Sequence, residues 1–599
     1  MFDESPIALS GDVSTTMPNQ YSKELEYFNR LYLEKYTSNG QTREDHINIL
    51  ANNLASDYTH YTKLREILYL HRFLPAGRVQ AALGTVGRDV SPFNCSVSQR
   101  IDDDRYSIMS SLSNAFYILR LGTGWGGNFS HIRPEDDLIK SLQAAASGPI
   151  SFMNMFDAMC ATVRSAGHRR GAMMAILNVG HPDIEKFIDA KMEKGKLTNF
   201  NISVGITDEF MKAVELGNVW HLRFNGEIRK TLPAKQLWEK IIRNAYESAE
   251  PGIINLSALN KSNNLNYCEE IEATNPCSEQ PLPPYGLCLL GSFNLPAYLY
   301  KKDGKIHFDS DTFTKDIPVV VEALDNIFDE AIYAIPEHKE EALNKRRMGI
   351  GLTGIANAIE LMLGMPSYGN EEFCLILQEI TNGLAWRAYQ ASVELAKKRG
   401  PFKLFDRDKY LSGNSFAATK LPDYIQNQIY NFGIRNSHLI SYAPCGTISQ
   451  IARNVSSGVE PVFLHEMERT VNLTSGKEKV NISDFAYREH NFKGKTINDC
   501  SINDHLNVAQ ICQDNCDSAV SKTVNVPADC SFREYEHVWL EGYKRGLKGL
   551  TVYRPTELRG SVIKAVETKI EYYSEPTATT DWKQLELPFN TCANGACER

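Results

Sequence analysis

The sequence predicts an α/β fold, because strand-like apolar runs alternate with long helices that carry an apolar face. Residues 319–335 form a strongly apolar helical stretch, and residues 372–399 form a long helix that a Gly-Pro pair brings to an end. Residues 437–443 and 547–555 read as strands, the second of them as the last strand of the chain. The apolar stripe of the long helix consists of Phe373, Leu377, Ile380 and Leu384.

Composition limits the function classes. The chain has 599 residues, of which 42% are apolar and 23% charged, and its net charge of -9 excludes a basic surface for nucleic acid. The N-terminus lacks a basic region followed by an apolar run, and no stretch approaches the roughly 18 apolar residues of a membrane helix. We therefore expect a cytosolic protein with no membrane partner. The 13 cysteines do not form a secreted disulfide framework and should stay thiols unless chemistry oxidises them.

The N-terminal 75 residues are helical and polar, with apolar side chains at helical spacing. We expect them to lead into the main domain without forming a separate nucleotide-binding regulatory module. The turn-rich segment 75–97 follows and contains Cys95. Cys95 is a candidate redox thiol, and the alternative is a packed strand cysteine.

A helix is predicted from the aspartates at 102–104 to Leu121, and a glycine-rich segment, 122–128, comes next. Its glycines permit close approach of the backbone to a ligand, although the spacing is not that of a dinucleotide fingerprint. Residues 164–172 place basic side chains beside glycines, which suits either a mobile loop that recognises an anion or nucleobase or a solvated basic turn. Another helix is predicted by Trp238, Ile241, Ile242 and Tyr246.

The central segment, 273–292, is predicted to be an ordered loop, because its prolines disfavour both helix and central strand. Asn275, Cys277 and Glu279 occupy alternating positions and would face the same way if the segment is extended. They would supply a hydrogen-bonding orienter, a redox-active atom and a base. The alternative is a buried structural cysteine beside a solvated glutamate.

Residues 444–449 form a Gly/Thr/Ser turn between a predicted strand and a predicted helix. Backbone N–H groups and hydroxyls in such a turn could bind phosphate without a lysine. The alternative is an ordinary helix N-cap formed by Thr447 or Ser449.

The composition changes beyond residue 555, and residues 574–580 contain only Ser, Glu, Pro, Thr and Ala. Cys592 and Cys597 close the chain, and on a flexible tail they could form a small disulfide ring and move. A zinc half-site is the alternative, but no second cysteine or histidine pair lies nearby to complete four ligands.

Together, the segment Asn275-Pro276-Cys277-Ser278-Glu279, the flanking Cys95 and Cys288, the turn 444–449 and the C-terminal cysteine pair resemble a ribonucleotide reductase catalytic subunit. The resemblance runs from about residue 75 to the C-terminus. It implies a ten-stranded α/β barrel of two antiparallel five-stranded halves with a finger loop, 273–292, inserted through it. The implied domains are a helical region 1–75, a catalytic barrel 76–555 and a flexible redox-active tail 556–599.

The resemblance also implies roles. Cys277 would carry the thiyl radical that takes the ribose 3′-hydrogen, Glu279 would be the base for the 3′-hydroxyl, and Asn275 would orient the ribose. Cys95 and Cys288 would be the reducing dithiol. Cys592 and Cys597 would regenerate that dithiol and be reduced in turn by a thioredoxin- or glutaredoxin-like protein.

Substrate and effector positions follow from the same resemblance. The phosphates of a ribonucleoside di- or triphosphate would bind at Pro444, Cys445, Gly446, Thr447, Ile448 and Ser449, with Asn94 and Gly122 lining the ribose side. A dNTP effector would bind near Asp103, Arg133 and Arg169, coupled to substrate through 167–172. The chain would be a homodimer without a metal site.

The radical source distinguishes two classes. The strand Thr551-Val552-Tyr553-Arg554 lacks the tyrosine pair of enzymes that use a separate radical-generating subunit. Residues 281–286, 75–78 and 169–172 resemble the class II enzymes, which implies adenosylcobalamin as cofactor. Two alternatives stay open: a class I subunit with a metal-containing partner, for which Tyr572-Tyr573 would be the relay, and a zinc-binding or redox scaffold protein.

Overall fold

The computed structural model describes residues 19–555, apart from 39, 88–89, 164–170, 194 and 474–475, together with residues 564–565. Three helices open this part of the chain, as predicted for the N-terminal region. Local sequence fixes where they start: Thr42 and Asp45 form a capping box on the second helix, and Asp57 caps the third. Across the described part of the chain, none of the helices has the length and apolar character that a membrane crossing requires.

The described helices are, in chain order, α1 (Asn19–Tyr36), α2 (Arg43–Leu54), α3 (Tyr58–Tyr69), α4 (Gly77–Leu83), α5 (Arg105–Arg120), α6 (Gly148–Thr162), α7 (Ile184–Asp189), α8 (Asp208–Leu216), α9 (Ala234–Ser248), α10 (Leu256–Ser262), α11 (Ser310–Glu330), α12 (Pro336–Lys345), α13 (Ile355–Leu363), α14 (Glu371–Arg399), α15 (Arg407–Tyr410), α16 (Phe416–Thr419), α17 (Asp423–Phe432), α18 (Gly446–Ile451), α19 (Phe485–His490), α20 (Ile502–Asp514) and α21 (Phe532–Lys544). A 3-10 helix spans Leu295–Tyr298.

The described strands are, in chain order, β1 (Phe73–Pro75), β2 (Cys95–Val97), β3 (Gly124–Asn128), β4 (Leu138–Ile139), β5 (Ala144–Ala145), β6 (Met173–Asn178), β7 (Phe200–Ile206), β8 (Val219–Phe224), β9 (Glu227–Pro233), β10 (Gly252–Asn255), β11 (Ala273–Thr274), β12 (Pro281–Leu282), β13 (Leu287–Cys288), β14 (Leu290–Asn294), β15 (Leu299–Lys302), β16 (Lys305–Phe308), β17 (Gly349–Thr353), β18 (Glu466–Leu473), β19 (Gly476–Ser483), β20 (Thr523–Asn525), β21 (Gly549–Tyr553) and β22 (Lys564–Ala565).

The larger sheet has the order β13-β2-β3-β6-β7-β10-β21-β20. Its five middle strands, from β2 to β10, run parallel to one another. At the two ends of this group, β13 pairs antiparallel with β2 and β21 pairs antiparallel with β10, while β20 pairs parallel with β21. Strand β6 is buried and apolar over Met173–Leu177, as expected for a parallel strand covered on both faces.

The second sheet consists of β1, β14 and β17, with β14 and β17 parallel. Two parallel bridges extend it: Ile350 with Ile440, and Tyr442 with Val520. Two of the passages of the chain between the sheets are short: only Leu289 separates β13 from β14, and Val520 lies just before β20.

The sequence predicted some helices correctly and misplaced one. Helix α14 has the predicted limits, its stripe is buried, and Gly400 ends it with φ of 80°. The helix predicted over 319–335 is wrong at both ends: α11 starts at Ser310, where Asp309 caps it by accepting the Thr312 N–H, and stops at Glu330. Ala331 is extended, and α12 then begins at Pro336.

The predicted strand 437–443 contributes only the bridges at Ile440 and Tyr442. The physical reason is that a side chain takes part of its backbone hydrogen bonding: the N–H groups of Leu439 and Ile440 both donate to the Asp517 carboxylate, at 2.6 and 3.0 Å. The predicted last strand is β21, but β22 follows it and pairs antiparallel with β18.

Candidate active site

The central loop is a hairpin, which we call the finger hairpin (residues 273–282). Strands β11 and β12 pair antiparallel, and the tip closes where Asn275 N–H donates to Gln280 O at 3.2 Å and Gln280 N–H donates to Asn275 Oδ1 at 3.0 Å. Ser278 has φ of 66°. The segment is an ordered loop, as predicted, but the condition that it is extended is not met: Asn275, Cys277 and Glu279 share one tight turn because the Asn275 amide closes it.

The finger hairpin is held through its backbone carbonyls. Side-chain amides of Asn128 and Asn201 donate to Glu272 O at 2.8 Å and to Pro276 O at 2.9 Å. The Arg347 guanidinium donates to Pro281 O at 3.4 Å. The Glu279 carbonyl accepts two hydrogen bonds, from Ser441 Oγ at 2.9 Å and from Ala519 N–H at 3.0 Å. These anchors come from both sheets and leave the side chains of the tip to face the site.

Glycines in β3 let the hairpin approach the sheet. A Cβ at Gly126 would lie 2.0 Å from Thr274 O, and a Cβ at Gly124 would lie 3.1 Å from Cys95 Sγ and 3.2 Å from Pro276 Cγ. The sequence predicted close backbone approach in this segment, but to a ligand. The neighbour found here is the finger hairpin.

Burial differs along the tip. Asn275 and Glu279 are 0% and 2% exposed, whereas Cys277 is half-buried. The Asn275 Nδ2 amide is buried and, within the described part of the chain, has no hydrogen-bond partner. A buried donor left without a partner is costly, which is consistent with a site that a polar ligand completes.

Cys95 and Cys288 lie directly opposite each other on the antiparallel strands β2 and β13. The Cys95 N–H donates to Cys288 Sγ at 2.9 Å, and both cysteines are buried and not joined in a disulfide. Opposed residues on antiparallel strands have Cα atoms about 4.5–5.5 Å apart, within the range that a disulfide requires. Burial and the neighbouring Cys95 thiol raise the pKa of Cys288 well above its ordinary value, so Cys288 stays protonated at neutral pH.

The predicted ribose-side residues lie beside this pair. Asn94 N–H donates to Cys288 O at 3.2 Å, and the Asn94 Oδ1 atom is buried with no hydrogen-bond partner among the described residues. Gly122 has φ of 84°, and a Cβ there would overlap the Arg78 guanidinium at 2.1 Å. The guanidinium therefore packs directly on the Gly122 backbone.

The predicted phosphate turn precedes α18, and Cys445 is the N-cap without a side-chain hydrogen bond to the helix. The alternative of an N-cap at Thr447 or Ser449 is therefore wrong. Cys445 is 1% exposed, with Sγ 3.2 Å from Ser292 Oγ, so its thiol points into the second sheet. Pro444 and Gly446 are exposed and Thr447 is half-buried, while Ile448 and Ser449 are buried.

The structure brings together two of the predicted effector residues. Arg133 Nε donates to Asp103 Oδ2 at 2.7 Å, and Arg133 N–H donates to Asp103 Oδ1 at 3.1 Å. Several sequence-predicted residues lie outside the described residues, so their positions are not stated: Arg169, Tyr572, Tyr573, Cys592 and Cys597.

An open groove borders the base of the finger hairpin. Asn178, at the end of β6, lines the groove and accepts a hydrogen bond at 3.3 Å from Asn128, the same side chain that anchors Glu272 O. Most of the groove's surface is apolar, and its polar and aromatic lining residues include Ser130, Asn218, Trp220 and His221.

Sequence reasoning missed the residues that hold the finger hairpin. Asn201 and Ser441 are polar residues inside apolar runs, Phe-Asn-Ile and Ile-Ser-Tyr. Asn201 is exposed, so burial gave no signal for it. Ser441 is buried, and a buried polar side chain needs a partner, which was the available signal. The identity of that partner depends on a tertiary contact.

Comparison with known proteins agrees with this geometry. Residues 93–553 match the family model described as "Ribonucleotide reductase, barrel domain". The vitamin B12-dependent ribonucleoside-diphosphate reductase of Mycobacterium tuberculosis (strain CDC 1551 / Oshkosh) is 33% identical over 502 residues, covering 78% of this chain and 68% of the relative. The protein of the same name from Thermoplasma acidophilum is 30% identical, covering 90% and 72%.

The vitamin B12-dependent ribonucleotide reductase of Streptomyces coelicolor is 28% identical, covering 80% of this chain and 58% of the relative. The family model spans well over half of this chain, and two relatives at 30% identity or more are each matched over more than two thirds of their length. The chain belongs to the ribonucleotide reductase family.

Proposed function

We propose that this chain reduces ribonucleoside diphosphates to 2′-deoxyribonucleotides by thiyl-radical chemistry, with adenosylcobalamin as the radical source. The proposal rests on the close approach of the finger hairpin to the dithiol. Cys95 Sγ and Pro276 Cγ both lie within 3.2 Å of the position that a Cβ at Gly124 would take. A cysteine on a buried tip, a carboxylate two residues away and a cross-strand dithiol are the groups that this chemistry needs.

Each residue has one step. The Cys277 thiyl radical takes the 3′-hydrogen of the ribose while Glu279 accepts the proton of the 3′-hydroxyl and Asn275 orients the ring. The 2′-hydroxyl leaves as water with a proton from the dithiol, whose two electrons complete the reduction as Cys95 and Cys288 form a disulfide. Cys277 then returns hydrogen to C3′. The balance is one C–OH and two thiols converted to one C–H, one disulfide and one water.

The raised pKa of Cys288 supports this assignment. A thiol that delivers a proton together with electrons must be protonated when the 2′-hydroxyl departs. The buried disulfide that results would be reopened by thiol–disulfide exchange with Cys592 and Cys597, which a thioredoxin- or glutaredoxin-like protein would reduce.

We propose the groove beside Asn178 as the adenosylcobalamin site, because the corrin carries amide side chains that both donate and accept hydrogen bonds and the groove offers polar partners for them. Asn178, Ser130 and Asn218 would hold those amides. The bound cofactor supplies the radical by cleavage of its carbon–cobalt bond. The names of the relatives in Mycobacterium and Thermoplasma support this choice of cofactor and a diphosphate substrate.

We further propose that the two sheets close into a ten-stranded barrel. Five parallel strands, β2 to β10, would form one half; β14, β17, the segments 439–442 and 520–525, and β21 would form the other. Antiparallel pairing of β10 with β21 and of β2 with β13 supports closure at both junctions.

Substrate phosphates would bind at the exposed part of the turn 444–449, where Gly446 offers backbone N–H groups. The dNTP effector would bind at Asp103 and Arg133, close to the start of α5. The described cysteines are not joined in disulfides, which supports a reducing, cytosolic location.

A homodimer is supported by α5, because large apolar side chains are exposed on one face at helical spacing. Tyr106 is 70%, Met109 51% and Tyr117 53% exposed, and Phe116 lies between them in the sequence at 37%. A second copy of this chain would cover that face.

The proposal is tested by assaying reduction of a ribonucleoside diphosphate with dithiothreitol, with and without adenosylcobalamin and without a second protein. We expect turnover only with the cofactor, and loss of turnover in Cys277→Ala and Cys95→Ser. Cys268→Ser is the matched control, because Cys268 is exposed and outside the site. Turnover that instead requires a metal-loaded partner protein would reject the cobalamin class in favour of the class I alternative.

A further inference from the structure

The Glu279 carbonyl is fixed by two strand segments that a third group holds in register. Ser441 and Ala519, its two donors, lie on neighbouring segments joined by Ser518 N–H to Ile440 O at 3.2 Å and by Tyr442 N–H to Ala519 O at 3.1 Å. The two donors therefore sit on opposite sides of one short ladder.

Asp517 closes the end of that ladder. Its buried carboxylate accepts the N–H groups of Leu439 and Ile440 at 2.6 and 3.0 Å, and Tyr389 O–H donates to Asp517 Oδ2 at 2.8 Å. The Lys548 ammonium donates to Asp517 O at 3.2 Å and also to Ser518 O. The side chains of Asp517, Tyr389 and Lys548 are all buried and hydrogen-bonded here, which favours a single arrangement of the ladder.

We propose that Ser441, Asp517 and Tyr389 are positioning residues for Glu279. Asp517 and Tyr389 set the register of the two segments, and Ser441 then fixes the peptide that follows the glutamate. This inference rests on the proposed role of Glu279 as the base for the 3′-hydroxyl. Fixing the carbonyl limits rotation about the Glu279 backbone, and so the direction in which its side chain leaves the hairpin.

The expected effect on the rate follows from the position of the Glu279 carboxylate. A base acts only within hydrogen-bond reach of its proton, and a displacement of about 1 Å can cost on the order of 10² in rate. Removing the Ser441 hydroxyl leaves one donor, Ala519, on the Glu279 carbonyl. The hairpin stays in place because Asn201 and Arg347 still hold its other carbonyls.

The structure provides a matched control in Tyr410. Tyr389 and Tyr410 are both 0% exposed, and the Asn264 amide donates to both hydroxyls, at 2.8 and 3.2 Å. Tyr410 O–H donates to Ser437 O at 2.8 Å and does not reach Asp517 in the described structure. Tyr410→Phe therefore removes a comparable buried hydroxyl, which contacts Tyr389 but does not donate to Asp517 in the described structure.

The experiment compares Ser441→Ala, Tyr389→Phe and Tyr410→Phe in the full-length holoenzyme, with substrate bearing hydrogen or deuterium at C3′. We expect Ser441→Ala to lower kcat by at least about tenfold with KM changed less than twofold, and to raise the deuterium isotope effect on kcat. Tyr389→Phe should act in the same direction more weakly. Tyr410→Phe should keep the wild-type kcat and isotope effect.

Two results would overturn the inference: an unchanged isotope effect in Ser441→Ala, or equal losses of kcat in Tyr389→Phe and Tyr410→Phe at equal melting temperature. If Ser441→Ala does not fold, the comparison of the two tyrosine variants decides alone. A wild-type enzyme with no isotope effect at C3′ and undiminished turnover in Cys277→Ala would instead reject the proposed function itself.

Discussion

Gly126 marks the narrowest contact between β3 and the finger hairpin. A Cβ there would meet a backbone oxygen, Thr274 O, at 2.0 Å, and a backbone atom cannot rotate away as a flexible side chain would. An added Cβ would therefore displace the hairpin. Asn275, Cys277 and Glu279, the proposed catalytic residues, lie on the hairpin and would move with it.

We predict that Gly126→Ala lowers kcat by about 10² or more, because the hairpin must shift by an appreciable fraction of an ångström. Overpacking should destabilise the fold by about 1–3 kcal/mol. The measurement is kcat together with the melting temperature. Gly549→Ala in the same sheet is the control, since its Cβ would meet only Ile253 O at 3.8 Å, and a loss of kcat equal to that of Gly126→Ala would refute the steric argument.

The sequence predicted which residues gather at the tip but not their geometry. Alternation of Asn275, Cys277 and Glu279 pointed to an extended segment, whereas Ser278 is left-handed and the Asn275 amide folds the segment into a turn. The glycines of β3 were correctly predicted to permit close approach. Their partner could not be predicted, because it lies about 150 residues further along the chain. The chemical roles of the tip residues stay predictions.

Helix α13 carries the buried carboxylate of Glu360, which accepts three backbone hydrogen bonds. Glu360 Oε1 accepts the N–H groups of Ser367, Tyr368 and Lys495 at 2.8, 2.9 and 3.1 Å. Burial nevertheless outweighs these bonds and raises the pKa of Glu360 to about 7. The folded protein therefore holds this proton more tightly than the unfolded chain, in which the carboxyl has its ordinary pKa.

A raised folded-state pKa contributes stability below the unfolded-state pKa, near 4.5, and loses it as the pH rises through about 7. The free energy of unfolding falls by about 3 kcal/mol over this pH range. We predict that Glu360→Gln, which stays neutral, gains melting temperature relative to wild type between pH 5 and pH 8. Thermal unfolding at both values measures this, with the exposed Glu340→Gln on α12 as the control; a constant difference between variant and wild type would contradict it.

Helices and strands were predictable to different degrees. The stripe of Phe373, Leu377, Ile380 and Leu384 and the glycine at 400 were sufficient for α14, because periodicity and a stop signal coincide there. For α11 the Asp309 cap lies outside the apolar run, so the run gave the wrong start. The segment 437–443 depends on the Asp517 carboxylate, a partner that strand propensity does not contain.

At the scale of the whole molecule, the exposed apolar face of α5 is the feature that a single chain leaves uncovered. Met109 and Tyr117 are both more than half exposed on it. The Asp103–Arg133 pair lies just before the helix, so an effector bound there would sit close to this face. The proposed homodimer would thus link the effector site to the contact between copies.

We predict that Met109→Glu converts the protein from a dimer to a monomer, because a charge buried at such a contact is costly. Light scattering coupled to size-exclusion chromatography measures the mass. Tyr58→Glu is the control, since Tyr58 is 79% exposed on a different helix. A wild-type chain that already runs as a monomer would disprove the proposed dimer.

The α/β class was predictable from alternating helices and strands, and the family from a few motifs. The placement of β13 and β14 was not, because a single residue, Leu289, separates strands that belong to different sheets. Short strands of two or three residues, such as β2 and β11, carry too little pattern to be recognised. The closed ten-stranded arrangement stays a prediction.

The finger hairpin is anchored through its backbone carbonyls, and this has a consequence for molecules that are not completely folded. Its holders, Asn128, Asn201, Arg347, Ser441 and Ala519, span almost 400 residues of sequence. A chain still emerging from the ribosome, or one nicked by a protease and partly unravelled, lacks some of them and presents its cysteine without the surrounding groups. In the proposed radical chemistry, Cys277 would therefore be enclosed by its neighbouring groups only in a completely folded molecule.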